Sequence, residues 1–253
     1  MIITAGVKIG IGKDNCDDIA LANDLVINNA NYLCESELLH VVGITDGVGG
    51  NAGGKEASFF VASELSPLSF SGGEAGIRDQ LFSLNNALIN YAVGIPEKSL
   101  MATTLTAVIF SEGQYYLAHI GNTRLYVGRG SYLKQMTEDH TTYQWLLTMG
   151  RAEEAEQCNK NEISACLGNG DETLAKQLVV RRVFEDGLPD VLIFTSDGIH
   201  EYIDIDHLED LIFSGNKDSD IIHKAISEAE ANGSLDDKTI VIVRNNETGE
   251  KDE

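Results

Sequence analysis

At 253 residues with 43% hydrophobic side chains, the chain can bury one large core or two small ones, which argues against a disordered polypeptide. Its 18 basic and 40 acidic residues leave a formal net charge of -22, a field that repels nucleic-acid phosphates and anionic lipid headgroups. The surplus of carboxylates suits divalent cations, but it suits solvated surface equally well. Runs rich in Val, Ile, Thr and Tyr predict strands over residues 2–9 and 38–45, then 103–110, 114–120 and 124–128, and finally 178–183, 191–195 and 239–244. Apolar residues at three- and four-residue intervals predict helices over 55–65, 77–91, 143–149 and 221–231. Ser111-Glu112-Gly113 and Gly128-Arg129-Gly130 are short glycine-containing connections, so the middle of the chain reads as an antiparallel meander.

This order points to an α+β fold, a four-layer α-β-β-α sandwich with two central antiparallel sheets and helices on the outer faces. A single domain spans 1–244, followed by a polar tail over 245–253, and no proline-rich linker divides it. Cys16, Cys34, Cys158 and Cys166 lack Cys-x-x-Cys spacing, which reads as reduced thiols. With no basic leader and no run of eighteen apolar residues, the expectation is a soluble cytoplasmic protein, a monomer with neither nucleic-acid nor membrane partners.

Three segments place acids at strand ends. The run 41–54 is an apolar strand ending in Asp46, followed by Gly47-Val48-Gly49-Gly50 and a helix start. Its glycines permit close approach of a ligand, and the Gly47 carbonyl is a hard donor; a tight capped turn is the competing reading. A second apolar strand ends in Asp197-Gly198, and Asp236-Asp237 immediately precedes a third. Asp14, Asp17 and Asp18 form a fourth acidic cluster near the N-terminus. Singly each is a turn or cap; jointly they favour a metal site built from oxygen donors, which Mg²⁺ or Mn²⁺ prefers over zinc.

Seven blocks in order resemble the metal-dependent Ser/Thr protein phosphatases of type 2C. Asn15-Cys16-Asp17 resembles the family's Asn-x-Asp, and Asp46-Gly47-Val48-Gly49-Gly50 its Asp-Gly-x-Gly-Gly. Met101-Ala102-Thr103-Thr104 is similar to the Gly-Thr-Thr block, Gly121-Asn122-Thr123-Arg124 to Gly-Asp-Ser-Arg, and Met136-Thr137-Glu138-Asp139-His140 to Leu-Thr-x-Asp-His. Ser196-Asp197-Gly198 matches Ser-Asp-Gly, and Ser234 to Thr239 resembles Ser-x-Asp-Asn-x-Thr.

The resemblance implies hydrolysis of phosphoserine and phosphothreonine in proteins by a water bridging two Mn²⁺ or Mg²⁺ ions, opposite a cognate kinase. Asp46, Asp197 and Asp236 would be the catalytic metal ligands, with Asp46 bridging both ions, the Gly47 carbonyl on one, and Asp197 and Asp236 on the other. Asp17 would orient bound water from behind. Val48, where many eukaryotic members carry His, points to the bacterial type. Bacterial members place a phosphate-binding Arg three residues before the Asn of Asn-x-Asp; that position holds Gly12 here, with Lys13 the nearest substitute, or else an exposed lysine. Asn122 replaces an Asp tied to a third, looser metal, so that site is expected weak or empty. Asp237 replaces an Asn, and its extra charge either tightens metal binding or faces solvent. Gly12 and Asn122 motivate an alternative, a catalytically weakened regulatory or phosphoprotein-binding member.

His140 could protonate a leaving alkoxide, or simply belong to a helix first turn capped by Thr137. Arg124 reads as an ion-pair partner, Cys16 as inert, and Trp145, Leu146 and Leu147 as core-facing. The Glu- and Asn-rich stretch 150–172 resembles the family's flap beside the metals, and is otherwise an ordinary surface loop.

Overall fold

The computed structural model describes residues 1–36, 39–48, 53–95, 101–169 and 173–245; Leu38, Gly49, Gly50, the last three flap positions (170–172) and tail residues 246–253 lie outside them. Among the described residues, two six-stranded sheets are antiparallel throughout. The first runs β4 (Asn31–Glu35), β1 (Ile2–Lys8), β12 (Lys238–Arg244), β11 (Val191–Thr195), β8 (Arg124–Arg129), β9 (Tyr132–Gln135). The second runs β10 (Val179–Val183), β7 (Gln114–Ile120), β6 (Leu105–Ser111), β5 (Val41–Asp46), β2 (Asp18–Ala22), β3 (Leu25–Ile27).

Strand alternation builds three cores from these two sheets. Ile3, Ala5, Val42, Ile44, Leu192, Phe194 and Val241 point between the sheets. On β11 and β12 the intervening Val191, Ile193, Ile240 and Ile242 point the other way, against α7 (Ile205–Ile212) and α8 (Asp218–Ala231). Residues of the second sheet such as Leu21, Leu105, Ala107 and Ile120 meet α1 (Gly54–Leu65) and α2 (Gly73–Val93). Both faces of each central strand are covered, so these strands read as continuous apolar runs instead of alternating ones. The result is the expected α-β-β-α sandwich. No described helix is long and apolar enough to cross a membrane.

Several elements differ from the sequence reading. The strands β2, β3, β4 and β9 were not among the predicted ones, being only three to five residues long. Arg129 and Gly128 lie inside β8, and only Gly130 and Ser131 form the turn to β9. Short helices α4 (Ala152–Ala155), α5 (Thr173–Gln177) and α6 (Asp197–His200), like α7, add to those predicted. Thr137 is not an N-cap: its hydroxyl accepts the Leu125 amide at 3.2 Å, and Thr141 caps α3 (Thr142–Thr148) by accepting the Gln144 amide at 3.1 Å. Trp145 is 48% exposed, so of the three apolar residues expected to face the core only Leu146 is fully buried.

His119 on β7 ties the sheet to the 136–141 segment. Its Nε2 donates to the Glu138 carbonyl and its Nδ1 pairs with the Thr106 hydroxyl, both at 2.9 Å. Burial, with the adjacent His140, holds its pKa down at about 3, against an ordinary 6.5. The folded protein thus refuses a proton that the unfolded chain accepts, and stability falls as pH drops below 6.5. Between pH 7 and pH 5 this one group should withdraw about 2 kcal/mol, measured by denaturant titration. The decline should be shallower in His119→Gln, which keeps an amide donor for Glu138 and removes the titration.

Candidate metal centre

Asp46 is the last residue of β5, and its backbone is clamped from both sides. Its amide donates to the Thr104 hydroxyl at 3.0 Å, and its carbonyl accepts the Thr104 amide at 2.8 Å and the Thr103 hydroxyl at 2.9 Å. The Thr-Thr block therefore fixes the strand end. Gly47 follows, and a Cβ there would collide with the Gly54 carbonyl group at the start of α1. Only glycine lets the turn lie this close to the helix, with the Asp46 carboxylate at the mouth of the sandwich.

Asp197 opens α6 immediately after β11. Gly198 packs flush against the Asp237 carbonyl, and Ser234 donates its hydroxyl to the Gly198 carbonyl at 2.8 Å, so the Asp197 and Asp236 turns brace each other. Asn122 donates to Asp197 Oδ2 at 2.9 Å. Asp236 precedes β12, with its Oδ1 taking the Asp237 amide at 2.8 Å and the Lys13 ammonium. Asp46, Gly47, Asp197, Asp236 and Lys13 line one cavity of about 720 Å³, together with Val48, Asn159, Asn161, Glu162, Ile163, Tyr202 and Leu235. Acids from remote parts of the chain thus share one pocket.

Asp17 and Asp18 part company. Asp18 is the first residue of β2, paired in register with Asp46, 1% exposed, with its Oδ2 accepting the Thr239 hydroxyl at 2.7 Å. Asp17 lines a separate cavity of about 310 Å³ with Lys13, Asp14, Asn15, Lys55 and Glu56. Its backbone serves the centre instead: the amide donates to Asp237, and the carbonyl accepts the Gly47 amide at 3.1 Å. Sequence reasoning singled out Asp17 and passed over Asp18. Counted back from Asp18, the Arg-x-x-Asn-x-Asp spacing places Lys13, not Gly12, at the Arg and Cys16 at the Asn. The doubled Asp concealed that one-residue shift.

The electrostatics follow from crowding. Burial, then Asp237, pushes Asp18 up to about 7. Burial and the charge of Asp236 do the same to Asp197, also about 7, and burial with Asp18 and Asp197 drives Asp46 well above the carboxylate range. Carboxylates in this state need protons or a cation to sit together. Asn122 adds an independent sign: its Oδ1 is buried and has no hydrogen-bond partner, beside Asp197. Among the described residues no three acids or histidines close into a finished ligand shell. The donor set, all oxygen and facing one cavity, nevertheless fits a hard divalent ion.

The remaining candidates have defined places. Asp237 is 2% exposed and fully engaged by backbone amides and Lys13, so it does not face solvent. His140 is outside the described lining of the large cavity; its Nδ1 accepts the Gly121 amide at 3.1 Å and its ring packs 4.8 Å from that of His119. Arg124 is a structural ion-pair partner, donating to both oxygens of Asp139 at 2.6 to 3.1 Å. Cys16 is buried, and burial raises its thiol far above the reactive range. The 150–172 segment contributes Asn159, Asn161, Glu162 and Ile163 to the cavity wall. It is held by Asn161 donating to Glu201 at 2.8 Å and by the Thr142 amide bonding the Glu162 carbonyl at 2.9 Å.

No protein-family model matches the chain. In sequence it is 28% identical over 217 residues to a serine/threonine phosphatase stp of Listeria welshimeri, covering 81% of this chain and 84% of that protein. It is 29% identical over 220 residues to the protein phosphatase PhpP of Streptococcus pneumoniae, covering 81% and 85%. The fold superposes with a TM-score of 0.75 on the serine/threonine phosphatase Stp1 of Staphylococcus aureus, at 24% identity over 96% of this chain and 94% of that one. It also superposes with a TM-score of 0.72 on the catalytic domain of the phosphatase PstP in complex with 2 manganese ions, at 23% identity over 96% and 98%.

Proposed function

We propose that this chain, a sequence relative of the bacterial type 2C Ser/Thr phosphatases that shares their fold, is a metal-dependent phosphatase acting on phosphoserine and phosphothreonine in proteins. The observation that carries this reading is the convergence of Asp46, Gly47, Asp197 and Asp236 on one cavity at the mouth of the sandwich. Asp46, the Gly47 carbonyl, Asp197 and Asp236 would hold two Mn²⁺ or Mg²⁺ ions there. Such ions would supply an activated water and neutralise phosphate oxygens during in-line attack. Asp18 faces Asp46 across the strand pair and takes the supporting place first given to Asp17, whose backbone braces the site.

No side-chain nucleophile is needed, since the chain's task is to place its acids and leave room for a phosphoryl group. Lys13 spends hydrogen bonds on Asp236 and Asp237, and its ammonium has a third for a substrate phosphate oxygen. Asn159, Asn161 and Glu162 on the flap segment would meet the polypeptide around the phosphoresidue. The candidate ligands named above all come from one chain, which we read as a monomer working in the cytoplasm against a cognate Ser/Thr kinase. The weakened-member alternative loses one of its two supports, because Lys13 restores a cation at the Arg position.

In a phosphothreonine-peptide assay with Mn²⁺, Asp46→Asn and Asp197→Asn should each reduce turnover to background while circular dichroism stays native. EDTA should stop the wild type and added Mn²⁺ restore it. Retained turnover in either variant would remove the assignment. Calorimetry should count two Mn²⁺ ions per wild-type chain and three in Asn122→Asp, which supplies a carboxylate where the amide oxygen is orphaned.

A further inference from the structure

Asp237 stands where the type 2C pattern carries a neutral Asn, and it is among the most buried acids of the chain at 2% exposure. Its Oδ1 accepts the Gly10 amide at 2.6 Å; its Oδ2 accepts the Asp17 amide at 2.8 Å and the Lys13 ammonium at 3.1 Å. A buried carboxylate of this kind is tolerated only with such donors and a counter-charge. Lys13 also donates to Asp236 Oδ1, an oxygen that the proposed function gives to a metal ion. One ammonium thus links a buried acid outside the ligand set to an acid inside it.

We infer that Lys13 and Asp237 form a matched counter-charge pair that sets the cation affinity of the centre. Lys13 lowers that affinity by occupying Asp236 and repelling the incoming ion. Asp237 raises it by neutralising Lys13 and by anchoring the 10–17 loop, through the Gly10 and Asp17 amides, beneath the strand end. Lys for Arg keeps the single positive charge of the family pattern, whereas Asp for Asn adds a negative one, and the two side chains meet at 3.1 Å. This inference rests on the metal reading of the site, and it names Lys13 and Asp237 as positioning residues with an electrostatic part to play.

The test is Mn²⁺ titration calorimetry on the metal-stripped full chain. Lys13→Met should bind Mn²⁺ roughly tenfold more tightly and Asp237→Asn roughly tenfold more weakly, the scale of one charge acting on a divalent ion in high dielectric. The double variant should return to within about twofold of wild type, and Lys13→Arg, which keeps the charge, should change little. Packing support alone would weaken Mn²⁺ binding in both single variants with no recovery, and that result overturns the inference. Thermal unfolding in EDTA reads the same coupling without metal: each single variant should lower Tm, and the double variant should recover part of the loss, whereas additive losses overturn the pairing. A wild type that binds no Mn²⁺ would sink the proposed function, leaving the EDTA arm to decide the pair; a wild type that binds with a cycle that fails to close sinks only the pair.

Discussion

Four carboxylates gathered at one end of a sandwich repel one another, and the architecture of this end answers that repulsion. The backbone places the acids where their mutual charge alone would never hold them. Asp18 and Asp46 are neighbours because β2 and β5 pair in that register, and Asp197 and Asp236 are neighbours because their turns pack on each other through Gly198. Each is braced by ordinary backbone bonds and by hydroxyl groups from Thr103, Thr104, Ser234 and Thr239. The apolar cores on either side supply the rigidity, since β5, β11 and β12 are buried on both faces. A hard cation bound there, as proposed, would discharge a conflict that folding has imposed.

Much of the fold was legible in the sequence because the long central strands and the helices facing them carry strong periodic or continuous apolar signals. The short strands β2, β3, β4 and β9 were illegible for the complementary reason: three to five residues are too few to show a period, and β2 and β4 are held by β5 and β1, which are distant in the chain. Helix α6 is a single turn set by the end of β11, with no periodicity of its own to detect.

At the site, the residues that sequence motifs singled out, Asp46, Gly47, Asp197 and Asp236, line one pocket. The motifs chose Asp17 over Asp18, since neighbouring identical residues differ only in the side of the strand to which they point. The role of Asp237 was equally hidden. Spacing shows an acid next to an acid; it takes the Gly10 and Asp17 amides and the Lys13 ammonium to show that this one is turned inward.

The pairing of Asp18 with Asp46 carries a consequence for quality control during folding. Slippage of β2 by a single position would present Asp17 or Ile19 opposite Asp46 and would exchange Ile19 and Leu21, which face the helices, with Ala20 and Ala22, which face the other sheet. A chain in that arrangement would crowd the space between the sheets and leave voids beneath the helices. The alignment that fills both cores is therefore also the one that sets Asp18 beside Asp46, and packing itself proofreads the site.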